Sequence, residues 1–163
     1  MQTAKQPDIA GLANELQARG WRMATAESCT GGLMAVSCTD MAGSSNWFEC
    51  AFVTYTNDAK QAMLGVPADL LESFGAVSAA TVKAMVRGAV ANSAAEVAVA
   101  ASGVAGPGGG TEQDPVGTVW LAWGDADEQV AHCFHFDGDR ALVRQQAAAT
   151  GLVALYDWLR TRS

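Results

Sequence analysis

The 163 residues suit a single domain, 1–163 with a core over about 8–160, long enough to bury a sizeable interior without disulfide staples. A hydrophobic fraction of 50% against 17% charged residues argues against disorder, and a formal net charge of −7 makes nucleic acid a poor partner, though a small anion held by one or two placed cations stays open. No apolar run approaches the ~20 residues of a membrane span, and Met1–Trp21 carries neither a long apolar run nor a cleavage-like site, so a cytoplasmic protein with no signal peptide and no membrane partner is expected.

The first periodic stretch, Asp8–Arg19, places Ile9, Leu12 and Leu16 on one helical face and stops at Gly20. Arg22–Ala26 reads as a short strand running into Glu27-Ser28-Cys29-Thr30-Gly31-Gly32, followed by a helix over Leu33–Met41. Phe48–Thr56 is rich in aromatic and β-branched residues and reads as a second strand. Asn57 or Asp58 would cap a short helix carrying Lys60, and Ala68–Phe74 and Ser78–Ser93 read as further helices, the latter capped by Ser78. Val97–Ala101 is a continuous small-apolar run of the kind buried on both faces of a sheet. A glycine-rich segment then leads to two strands, Gly117–Trp123 and Gln129–Asp137, spaced as a hairpin. Asp139 caps a last helix reaching about Arg160, with Leu142, Ala149, Val153, Tyr156 and Leu159 expected inward. Together these elements predict a layered α/β/α fold around a mixed sheet of five strands or fewer.

The strongest chemical signal is the strand-to-helix turn holding Ser28. Unpaired N–H groups at a helix start favour an anion, either a substrate phosphate or the oxyanion of acyl transfer, and Gly31 and Gly32 would let a ligand approach the backbone. The same residues also suit a plain helix cap. A serine nucleophile needs a base, and the two histidines, His132 and His135, lie three apart in a strand and face opposite ways. That leaves lysine. Lys5 sits near the start and Lys83 on a helix face, whereas Lys60 follows the end of a core strand, where ligands gather in α/β sheets. A solvent-facing helix lysine is the competing reading there, as half-buried packing is for the nearby Tyr55. Cys29 is a second candidate nucleophile, since a helix start lowers a thiol's pKa, but neighbours on a sharp turn point apart.

Ser102-Gly103-Val104-Ala105-Gly106-Pro107 and the glycines after it follow a buried strand and suit a ligand loop, yet they lack the Lys-Ser or Lys-Thr of a P-loop and the spacing of a dinucleotide fingerprint. Arg140 opens the last helix and could fork onto a phosphate or pair with Asp137 or Asp139. No metal site and no cofactor are called for, because His132, Cys133 and His135 do not converge.

In order along the chain, Thr25–Gly32, Ala42-Gly43-Ser44-Ser45, Val53–Asn57 with Lys60, Gly75–Ser78, Ser102–Pro107, Pro115–Val119 and Gly138-Asp139-Arg140 resemble the motifs of the CinA C-terminal domain family, whose stand-alone members are nicotinamide-nucleotide amidases. The likeness spans about residues 8–160 and carries nothing over from the larger N-terminal domain of full-length members. It implies hydrolysis of nicotinamide mononucleotide to nicotinic acid mononucleotide and ammonia. Ser28 then matches the nucleophile, Lys60 the base and Tyr55 a supporting hydroxyl, with N–H groups near Thr30–Gly32 holding the oxyanion. Thr30, Gly31, Gly32, Ser102, Gly103 and Arg140 fall where the family binds substrate. A non-catalytic nucleotide-binding module and an amidase for another small amide are the competing functions. Five tryptophans leave room for a homo-oligomeric interface.

Overall fold

The computed structural model describes residues 4–162. In chain order the elements are α1 (Ile9–Arg19), β1 (Met23–Glu27), α2 (Leu33–Thr39), a 3-10 turn at Ser44–Asn46, β2 (Phe48–Val53), α3 (Asn57–Leu64), α4 (Ala68–Phe74), α5 (Ala79–Ala91), β3 (Val97–Gly103), β4 (Thr118–Gly124), β5 (Gln129–His135) and α6 (Arg140–Arg160). The strands form one mixed five-stranded sheet in the order β2-β1-β3-β4-β5. Three neighbours, β2, β1 and β3, run parallel, and β4 and β5 continue antiparallel as the expected hairpin. The layered α/β/α expectation holds.

Connectivity follows from handedness. The chain leaves β1 for β2 on one side and returns past β1 to β3 on the other, and right-handed crossovers in opposite directions put their helices on opposite faces. Leu12, Leu16, Met34, Leu152, Leu155 and Trp158 fill the core against one face, below α1, α2 and α6. Leu64, Val66, Leu71, Val82, Met85 and Val86 fill the other, below α3, α4 and α5. Successive strand residues feed alternate cores: Met23 belongs to the first and Ala24 and Ala26 to the second. β1 and β3 are buried along their length on both faces, apart from the last residue of β3; Val97–Ala101 reads as an unbroken apolar run, whereas β1 carries the buried polar Thr25 and Glu27.

Several details differ from the sequence expectation. α3 is capped by Thr56, whose hydroxyl accepts the Ala59 N–H, and not by Asn57 or Asp58; β2 stops at Val53 and frees Thr56 for that role. β3 runs on to Gly103 because it keeps pairing with β4. The buried face of α6 comprises Val143, Ala147, Ala148, Gly151, Leu152, Leu155, Trp158 and Leu159. Of the five residues expected inward only Leu159 is fully buried; the helix turns its small residues to the sheet, since Gly151 already packs against Met34, Val99 and Leu121. Leu142, Ala149, Val153 and Tyr156 line its flanks.

Candidate active site

Strand order reverses at β1, so a crevice opens at the carboxyl ends of β1 and β3, where open α/β sheets bind ligands. Ser28 follows β1 there. Its N–H donates to the Ala101 carbonyl at 3.0 Å, and the Thr54 N–H donates to the Glu27 carbonyl at 2.8 Å, so both neighbouring strands grip the chain at this point. Alternation along β1 turns Glu27 toward α2 and leaves Ser28 on the α3 and α5 side.

Lys60 reaches the same place from α3. It is 1% exposed, and its Nζ lies 3.0 Å from Ser28 Oγ, 3.0 Å from the Thr54 carbonyl and 3.4 Å from the Tyr55 carbonyl. No carboxylate pairs with it among the described residues. Desolvation therefore dominates and holds its pKa below the ordinary lysine value of 10.5, against a smaller opposing effect from Cys29. A neutral amine has two N–H donors and one lone pair. That inventory would leave two N–H groups for the carbonyls and the lone pair for the Ser28 hydroxyl once it turns from the Tyr55 carbonyl, to which it donates at 3.3 Å.

The cavity around this pair holds about 270 Å³ and is lined by Ser28, Cys29, Tyr55, Lys60, Ser102, Gly103 and Arg140, with Asn57, Ala76 and Val77 and, from the glycine loop, Val104, Ala105, Gly106, Gly108 and Gly109. Ser102 is 2% exposed, and its hydroxyl has no hydrogen-bond partner among the described residues. Gly103 must be glycine, because a Cβ there would meet the Thr118 carbonyl at 2.5 Å. Arg140 pairs with neither Asp137 nor Asp139. It donates to the Gly106 carbonyl and to the Tyr55 hydroxyl, each at 2.8 Å, bridging the mouth of the cavity. Tyr55 is 57% exposed, and what faces Ser28 is its main-chain carbonyl, which accepts from Ser28 Oγ at 3.3 Å.

Thr30, Gly31 and Gly32 stand apart from this cavity lining. The reason is Glu27. Its buried carboxylate accepts the N–H groups of Gly32, Met34 and Ala35 and the hydroxyls of Thr25 and Thr30. The positive end of α2 is thus already occupied from within, and the Gly31 N–H is taken by the Ser28 carbonyl. Sequence reasoning treated Glu27 only as part of a motif; the period-2 alternation of β1 was the signal that it faces α2. It missed Arg144 altogether, one helical turn beyond Arg140, which donates from Nε to the Cys29 carbonyl at 2.9 Å. Burial pushes the Cys29 thiol up to about 11, so it stays protonated and is a poor nucleophile. His132 stacks on Trp123 away from the site, and among the described residues no cluster of His, Cys, Asp and Glu could hold a metal ion. No helix among them is long and apolar enough to cross a membrane.

Residues 7–159 match the CinA C-terminal domain family. The nicotinamide-nucleotide amidohydrolase PncC of Pseudomonas putida is 52% identical over 147 residues, covering 88% of this chain and 92% of that protein. Its Escherichia coli counterpart is 51% identical over 146 residues, covering 89% and 88%. A CinA-like protein of Colwellia psychrerythraea is 50% identical over 141 residues, 86% of this chain, which spans only 33% of that longer relative. Among solved structures, the competence damage-inducible protein A of Klebsiella pneumoniae superposes with a TM-score of 0.91 at 39% identity, covering 95% of this chain and 96% of that one.

Proposed function

This chain belongs to the CinA C-terminal domain family, and from that premise we propose that it is a nicotinamide-nucleotide amidohydrolase that converts nicotinamide mononucleotide to nicotinic acid mononucleotide and ammonia. The observation that carries the mechanism is the contact between Ser28 Oγ and the buried, carboxylate-free Lys60 Nζ at 3.0 Å.

Neutral Lys60 accepts the Ser28 proton as Oγ attacks the carboxamide carbon. The resulting ammonium keeps all its contacts, because Nζ can then donate to Ser28 Oγ, Thr54 and Tyr55 without moving. The proton passes to the departing amine, ammonia leaves and the acyl ester remains on Ser28. Water then adds to that ester, gives its proton to Lys60, and releases the carboxylate as Ser28 is reprotonated. With the N–H groups of Gly31 and Gly32 engaged elsewhere, the oxyanion falls to the main chain at Cys29 and to the Ser102 hydroxyl, residues that both line the cavity. Arg140, freed from Tyr55, offers a planar fork to the 5′-phosphate at the mouth. Holding the phosphate there fixes the carboxamide near Ser28.

The test is ammonia release from nicotinamide mononucleotide by the native chain beside Ser28→Ala and Lys60→Arg. Activity in the first and none in the two variants supports substrate, nucleophile and base together, since arginine does not deprotonate in this range. Binding of the nucleotide without ammonia release would make the chain a binding module instead.

A further inference from the structure

The turn after β1 is held from two opposite sides. Glu27 collects N–H groups on the α2 side. Arg144 of α6 collects carbonyls on the other: Nε donates to Cys29 at 2.9 Å, and Nη2 lies at 3.5 Å, the edge of hydrogen-bond range, from Thr30. Arg144 is half-buried and pairs with no carboxylate among the described residues. A guanidinium in that setting ordinarily seeks a carboxylate or phosphate fork; here it is spent on main chain beside the reactive serine. Gly31 makes the room, because a Cβ there would stand 2.9 Å from Arg144 Nη2.

A peptide unit is planar, so tethering the Cys29 carbonyl sets the rotation of the whole Cys29–Thr30 unit and with it the ψ of Cys29. Cys29 directly follows Ser28, and Cys29 and Ser28 both line the cavity. Resting on the assignment of Ser28 as nucleophile, we infer that Arg144 is a positioning residue that acts through the main chain. Its guanidinium holds the Cys29–Thr30 peptide, one unit beyond Ser28, and so limits the turn that keeps Ser28 Oγ on Lys60. It touches neither substrate nor reacting atoms.

The experiment uses an alkyl phosphonofluoridate, which reads Ser28 whatever the natural substrate is. Ser28 Oγ bonds to phosphorus, fluoride leaves, the Oγ proton passes to Lys60, and mass spectrometry counts the adduct. Arg144→Ala, its fold verified by circular dichroism, should label about tenfold to a hundredfold more slowly than the native chain. Arg144→Lys should recover part of the rate, and added guanidinium should speed labelling of Arg144→Ala but not of the native chain. Turnover of nicotinamide mononucleotide should show the loss in kcat with KM held. Labelling of folded Arg144→Ala within about twofold of native refutes the inference, as does a rise in KM alone, which would put Arg144 on the substrate. Should Arg144→Ala not fold, Arg144→Lys carries the comparison, and native-rate labelling of it refutes the inference. A native chain that labels at Ser28 but releases no ammonia loses the proposed substrate while the Arg144 comparison still decides; one that fails to label at Ser28 overturns both.

Discussion

Replacing Glu27 by glutamine changes one oxygen to an NH2 group inside a fully buried cage of donors. Three of the five contacts come from main-chain N–H groups, which cannot turn away. If the new amide sits at the Oε1 position it opposes Gly32 and Met34; at Oε2 it opposes only Ala35, because the Thr25 hydroxyl can rotate to accept. The second arrangement is therefore the one adopted, leaving one buried N–H without an acceptor at a cost of about 1–3 kcal/mol. The bonds that persist lose their charge assistance, and α2 loses the negative charge at its start, roughly another 1 kcal/mol. Relief from desolvating a carboxylate offsets part of this. The sum is about 2–3 kcal/mol, which for a chain of this size lowers Tm by roughly 4–12 °C. Urea unfolding of native and Glu27→Gln protein at neutral pH measures it directly. A change under about 1 kcal/mol would refute the reasoning, because the carboxylate would then not be what holds the β1–α2 turn.

Lys60 makes stability depend on pH with a defined sign. Its folded pKa lies below 10.5, so between that depressed value and 10.5 the unfolded chain binds more protons than the folded one and stability rises with pH. Lys60→Met removes this dependence, and the native chain should gain stability relative to that variant as pH is raised from neutrality through this window; a flat or falling difference in urea midpoints contradicts the depressed pKa. Cys29→Ala should keep near-native turnover of nicotinamide mononucleotide, and the native thiol should react only slowly with a disulfide reagent at neutral pH, as burial at about 11 requires. Gly31→Ala meets both a φ of +58° and the Arg144 Nη2 at 2.9 Å. It should cost about 1–2 kcal/mol in urea unfolding and slow turnover as well, and a neutral outcome on both measurements would count against the tight packing of this turn.

Much of the fold was legible because its signals are local. Val97–Ala101 announces a strand buried on both faces, Asp139 and Ser78 cap the helices they precede, and Gly20 ends α1 in a left-handed conformation. The turn at Ser28 and the placement of Lys60 just past a strand end are likewise local patterns, but they left a plain helix cap and a solvent-facing lysine open, and the roles came from the resemblance to the family. Their convergence is not local. Ser28 and Lys60 are 32 residues apart and meet only because the crossover from β2 to β3 lays α3 over the end of β1. Which N–H groups at the turn remain free for a ligand depended on Glu27 pointing into the α2 side, and the register of α6 that brings Arg140 to the cavity mouth and Arg144 to the Cys29 carbonyl depended on how its small residues seat against the sheet. Sequence alone thus determined the elements and the chemically able side chains, since backbone periodicity and capping act within a few residues. Burial, pairing and direction were decided by the tertiary structure, because desolvation of Lys60 and occupation of the α2 start arise only when distant segments exclude water together.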